Sequence, residues 1–214
     1  MKRLLALIAV LSLGSLIAAE DLIKLPPPQK TGGMPLMEAI TARRTRRDMT
    51  AAPLSLQQLS DICYVACGIS REDGRRTIPT ARNIQDLMLY VALKDGLYLY
   101  NPKDNALELK EKRDLREFTG IQKKMHQNSA AVLIYASDYD RFGSIPEDTR
   151  VFYAANHAGY ASQNVYLYAA STNLATVVCN AVDKPKLSRE MKLPPNLKIQ
   201  LTQPLGPPAT LSDK

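Results

Sequence analysis

The chain of 214 residues contains no tryptophan, two histidines and three cysteines. Three thiols cannot make a disulfide framework, and a chain this long buries a core without such staples. Cys63 and Cys67 share one face of a predicted helix in a geometry poor for a disulfide, so they read as small buried core residues, with a redox dithiol as the alternative. Cys179 stands alone in a predicted strand. His126 and His157 fall in neither HExxH nor a zinc-ligand spacing. GxSxG, GxxxxGK[ST] and GxGxxG are all absent, which excludes an α/β-hydrolase elbow, a P-loop and a dinucleotide fingerprint. Acid–base or nucleophilic chemistry by side chains alone therefore has little support.

Long apolar runs are also scarce. The one present, Leu4 to Ala19, follows Met1-Lys2-Arg3 and ends in small residues, the pattern of a secretory signal peptide over residues 1–19. It is short for a membrane span, so no stable membrane anchor is expected after cleavage near Ala18 or Ala19. Export through such a leader implies a periplasmic location. The net charge of +7 includes Lys2 and Arg3, which leave with the leader. With no zinc-finger, KH or RNP pattern, nucleic acid is not an expected partner.

Residues 20–34, with three consecutive prolines and Gly32-Gly33, read as an extended arm, and 35–214 as one domain. Pro35 starts a helix to about Arg43 with Leu36, Met37 and Ile40 turned inward. Ser55 caps a second helix that stops at Gly68. Leu87, Leu89, Val91 and Leu93 alternate with their neighbours, and Lys94-Asp95-Gly96 turns the chain into Leu97–Tyr100, a β-hairpin. Further strands are expected at 130–136, 175–179 and 197–202, and helices near 112–127, 147–172 and 184–192. The long helix carries Ala154, Ala155, Ala158, Gly159, Ala161 and Ser162, small residues suited equally to core packing and to a dimer contact. The fold class is α+β, with a mixed, mainly antiparallel sheet flanked by helices.

Two segments are candidate binding sites. Arg43-Arg44-Thr45-Arg46-Arg47 reads either as cations finishing a helix or as a phosphate clamp, because guanidinium forks match phosphate oxygens. Arg75–Gln85 is a polar loop feeding the hairpin, either solvated or offering the Asn83 and Gln85 amides to a heterocycle edge.

In this order the segments resemble the nitroreductase family of flavin-dependent oxidoreductases, especially a compact branch similar to SagB-type dehydrogenases. Arg43, Arg44, Thr45 and Arg47 match its R-[RH]-[ST]-x-[RK] motif, and Pro79, Thr80, Asn83 and Gln85 its P-[ST]-x-x-N-x-Q loop. Gly159, Gln163, Asn164, Leu167 and Ala169 match its long helix, and Leu193-Pro194 and Gly206-Pro207 its closing segment. The resemblance implies FMN, with the first set holding phosphate and ribityl chain and the loop meeting the pyrimidine edge. It also implies an intertwined homodimer with flavin sites at the interface, and hydride transfer through flavin N5 from a small-molecule donor such as NAD(P)H to an acceptor, in a ping-pong scheme. A non-catalytic flavin or phosphorylated-ligand binding protein on the same scaffold is the alternative. The chain departs from the family pattern at Asp86, at Asn173 and in lacking a late basic residue, unless Lys214 supplies it.

Overall fold

The computed structural model describes residues 21–209. The leader expected at 1–19 and Lys214 lie outside them. The sheet runs through the hairpin. Strands β1 (Leu22–Lys24), β2 (Leu87–Ala92), β3 (Leu97–Asn101), β4 (Ala106–Glu111), β5 (Ala131–Asp138), β6 (Ala175–Thr176) and β7 (Leu197–Gly206) form one sheet in the order β1-β4-β3-β2-β5-β7-β6. Each pairing is antiparallel.

The alternation in β2 and β5 has a physical counterpart on both faces. Leu87, Leu89, Val91, Leu133 and Tyr135 pack into a core under helices α2 (Leu56–Cys67) and α4 (Glu147–Ser171). Tyr90, Ala92, Val132, Ile134 and Ala136 point the other way, toward Leu187 of α5 (Lys184–Glu190). A strand apolar on both sides belongs inside a layered sheet, because successive side chains face opposite ways. Cys63 and Cys67 are buried, unpaired members of the first core, as their helical spacing suggested.

Helix α2 starts where expected. Ser55 Oγ accepts from Gln58 N at 3.1 Å and Gln58 Oε1 from Ser55 N at 2.9 Å, a reciprocal cap worth on the order of 1 kcal/mol. The N-terminal arm is better fastened than its composition suggests. Its first residues form β1 on the edge of the sheet, Ser60 donates to Pro26 O at 2.5 Å and Gln29 N donates to Asp61 Oδ1 at 2.7 Å.

Two expectations are corrected. Strand β4 occupies a stretch to which the sequence assigns no element. The short helices expected near 112–127 are a 3-10 turn at Arg116–Phe118 and α3 (Lys123–Gln127). They separate at Gly120, whose Cα lies so close to His126 that a Cβ there would stand 2.1 Å from Nε2. On α1 (Leu36–Ala42), Ala39 is the buried residue, while Leu36, Met37 and Ile40 are 65%, 70% and 47% exposed. The small residues of α4 divide: Ala154, Ala158, Ala161 and Ser162 are buried, whereas Ala155 is exposed and Gly159 has open space beside it.

Candidate functional site

Residues 43–47 leave α1 without regular secondary structure and run beside the C-terminal half of α4. Arg46, the variable position of the motif, is the structural arginine. Its backbone N–H donates to Thr176 O at 3.0 Å, and its guanidinium forks onto Asp48 at 3.1 and 2.7 Å and reaches Asn173 Oδ1 at 2.9 Å. The fork holds the Asp48 carboxyl below its usual range. Arg43, Arg44 and Arg47, by contrast, make no ion pair among the described residues. Arg43 lies over the Tyr166 ring, 5.5 Å from its centroid, a cation–π contact. Thr45 Oγ1 is 3.2 Å from Tyr166 Oη, which also accepts from Val178 N at 2.9 Å. Tyr166 thus joins the arginine segment to the stretch after β6.

One departure from the family pattern, Asn173, has a local reason. Asn173 follows α4 at φ +54°, the left-handed conformation that glycine ordinarily supplies, and Asn tolerates it while its amide oxygen serves Arg46. Gly206 cannot be replaced in kind, since a Cβ there would lie 2.4 Å from Thr50 O. That close approach lets Thr50 N donate to Pro207 O at 2.8 Å and pins the chain leaving the arginines.

Beside Arg47 is a cavity of about 190 Å³ lined also by His126, Val177, Val178, Cys179 and Asn180. The Thr119 hydroxyl donates to Arg116 O at 2.7 Å, so His126 Nδ1 donates to Thr119 Oγ1, also at 2.7 Å. Burial pushes the His126 pKa down to about 4 and keeps the ring neutral. Burial raises the Cys179 thiol, and Arg47 opposes the shift.

The second segment is held from beneath by a buried chain of hydrogen bonds. His157 of α4 accepts from Ala81 N through Nε2 at 2.9 Å and faces Asp86 Oδ1 through Nδ1 at 2.5 Å. Because Nε2 is an acceptor, the proton sits on Nδ1 and donates to the carboxylate. Ser137 Oγ donates to the other Asp86 oxygen. Asp86, His157 and Ser137 are all buried. Asp86, where the sequence departs from the family pattern, is therefore a buried anchor.

The loop above this anchor is unusually constrained. Arg82, Asn83 and Gln85 have φ of +51°, +55° and +52°, a region costly for residues with a Cβ and concentrated at functional sites. Thr80 Oγ1 accepts from Gln85 N at 3.1 Å, and Gln85 Nε2 donates to Asn83 Oδ1 at 3.1 Å. Thr80 and Gln85 thus shape the loop, and the Asn83 amide NH₂ is left as a donor. Pro79 is exposed at the start of the loop.

Both segments are tied to α4, at His157 and at Tyr166. Nine residues separate these anchors, which is roughly 13–14 Å along the axis and half a turn in azimuth. In one chain the arginines and the amide loop therefore sit on opposite faces of one helix.

The family model described as Nitroreductase family matches residues 40–207, which takes in both segments. A Methanocaldococcus jannaschii protein carrying the nitroreductase name is 30% identical over 171 residues, 74% of this chain and 84% of the relative. A Ralstonia eutropha protein solved under the same name superposes with a TM-score of 0.85 at 35% identity, over 90% of this chain and 92% of that one. A Desulfovibrio desulfuricans protein solved in complex with FMN shares the fold at 18% identity and a TM-score of 0.60, over 86% and 91% of the chains. The class is that of the FMN-dependent oxidoreductases implied by the sequence motifs. The chain belongs to the nitroreductase family.

Proposed function

We propose that the protein is an FMN-dependent oxidoreductase that passes a hydride between two small-molecule reactants in turn, working as a homodimer. The observation that carries this reading is the contrast within residues 43–47. Arg46 is paired, while Arg43, Arg44 and Arg47 have no carboxylate among the described residues. Unpaired guanidiniums on a fixed segment fit a phosphate dianion, and the Asn83 amide on a constrained loop fits a carbonyl-bearing heterocycle edge. The bound cofactor supplies reversible hydride exchange at its ring nitrogen N5.

The chain's own residues then bind and orient. Arg43, Arg44 and Arg47 hold the phosphate end, with Thr45 on the ribityl chain. Pro79, Thr80, Asn83 and Gln85 form the rigid wall at the pyrimidine end, where Asn83 donates. His157 and Asp86 keep that wall from shifting when reactants exchange.

Two chains are part of the proposal because the two segments lie on opposite faces of α4. The exposed apolar face of α1, with Val151 and Phe152 and the small outward residues Ala155 and Gly159 of α4, is the surface offered to a second copy. The leader read at residues 1–19 assigns this reaction to the periplasm, with NAD(P)H or another small reductant as donor. The test is direct. Mature protein reconstituted with FMN should retain one flavin per chain through gel filtration, elute as a dimer, bleach with reductant and recover colour with a quinone or nitroaromatic. Absence of bound FMN overturns the reading. Bound FMN that no donor–acceptor pair cycles favours the non-catalytic binding protein.

A further inference from the structure

The stretch between α2 and the amide loop is a second cationic feature that the cofactor reading does not use. Ile69 and Arg76 form an antiparallel bridge, Ser70 N donates to Arg75 O at 2.9 Å and Gly74 N to Arg71 O at 3.0 Å. Gly74, at φ +79°, makes the turn, and Asp73 Oδ1 stabilises it by accepting from Arg75 N at 3.1 Å. This tight hairpin sets Arg71, Arg75 and Arg76 along one wall of a cavity of about 370 Å³, with Pro79, Thr80 and Asn83 among the residues that complete it. Among the described residues, no acidic side chain lines the cavity.

The hairpin is fastened to the loop that it faces. Gln85 Nε2 donates to Gly74 O at 3.3 Å, and Arg76 Nη1 donates to Leu87 O at 2.9 Å. Arg76 is thereby a fixed cation, with its Nε buried and without a partner among the described residues. Arg71 is exposed, and Arg75 meets Asp73 at 3.4 Å in an exposed pair that water screens. Asp73 offsets one of the three arginines, so the wall keeps a net excess of positive charge from the other two. Guanidinium forks recognise carboxylates, phosphates and sulfonates.

We propose that this cavity receives the anionic group, a carboxylate or phosphate, of a reactant that exchanges electrons with the cofactor, so that the enzyme selects an anionic substrate over a neutral one of the same shape. The inference rests on the reading above that Asn83 borders the cofactor. It adds a substrate class to that site.

The test uses FMN-loaded dimer reduced with dithionite, freed of excess reductant and mixed with 1,4-naphthoquinone or its 2-sulfonate. The two differ in charge and share a ring system. The rate of flavin reoxidation is followed at increasing quinone. In R71A/R75A the bimolecular rate constant for the sulfonate should fall at least tenfold while that for the neutral quinone changes less than twofold, with FMN content and visible spectrum unchanged. Inorganic phosphate or succinate should slow the sulfonate reaction in the natural chain and not in the variant, and the better competitor names the anion. Equal loss for both quinones, no loss for the sulfonate or competition by neither anion overturns the proposal. Loss of FMN in the variant also overturns it, since the arginines would then belong to the cofactor clamp. If the natural chain holds no FMN at all, the cofactor reading is what fails. Calorimetric titration of the apoprotein with inorganic phosphate, saturable in the natural chain and lost in R71A/R75A, then tests the cavity independently.

Discussion

The arginine segment and the amide loop hang on the same helix and are built in opposite ways. At the first, one arginine out of four is committed to structure and the others stand in or near solvent, so binding there rests on charge that salt screens. At the second, three residues in left-handed backbone sit on a buried carboxylate–imidazole pair, so binding rests on a shape fixed before the ligand arrives. Flexible cations tolerate motion of a phosphate group; a heterocycle edge tolerates little. The two constructions match the two ends of the cofactor proposed for them.

Four experiments break or sharpen that contrast, from the largest effect to the smallest. H157F removes one of the two side-chain donors to the buried Asp86 carboxylate, leaving Ser137 alone on it, and takes the acceptor from Ala81 N, which together should cost about 3–5 kcal/mol in urea unfolding. Adding D86N should recover part of the loss, because a neutral amide is cheaper to bury than a charge. Recovery absent, the pair is not what anchors the loop.

Acid acts on the floor of the arginine end. His126 has its folded pKa lowered from 6.5 to about 4, so the unfolded chain takes up the proton first as pH falls. The stabilisation is full above about pH 6.5, is lost between 6.5 and 4, and amounts to on the order of 3 kcal/mol. Urea midpoints measured across this range should drop in the natural chain and drop less in H126N.

R43A/R47A should leave the urea midpoint nearly unchanged while weakening FMN by about 1.5–3 kcal/mol per lost charged hydrogen bond, that is tenfold or more. Riboflavin, which lacks the phosphate, should be affected far less, as fluorescence titration of the two ligands would reveal. Equal weakening of both would remove the arginines from the phosphate end.

N173A is the mildest. It forces a Cβ residue without a side-chain amide into left-handed backbone and removes one contact to Arg46, for roughly 1–2 kcal/mol in thermal or urea unfolding. N173G should be closer to neutral.

How far the sequence could be read follows from how local each signal is. The β2–β3 hairpin was legible because alternation and a Gly turn lie within a dozen residues, and α2 because its capping box and its stop are adjacent to its apolar stripe. Strand β4 carries a weaker alternation, Leu107 and Leu109 between charged neighbours, and went unassigned. Leu36, Met37 and Ile40 were read as inward on the rule that apolar residues seek a core, but the core under α1 needs only Ala39. The motif singles out Arg43, Arg44, Thr45 and Arg47 and leaves Arg46 outside it, while the bond from Arg46 to Asn173 spans 127 positions and has no sequence trace. His157 lies in no metal-ligand spacing and carries no other local signal. Its partner Asp86 is 71 positions away and meets it only because β2 and α4 pack together.

Helix α4 also limits how this chain can change over generations. Inserting or deleting one residue between His157 and Tyr166 would turn one anchor against the other by about 100° and move it about 1.5 Å. Neither segment could follow, since one is clamped through Arg46 and the other through Asp86. This stretch of nine residues can vary in composition but not in length, so among descendants of the chain its count should be more faithfully inherited than its letters.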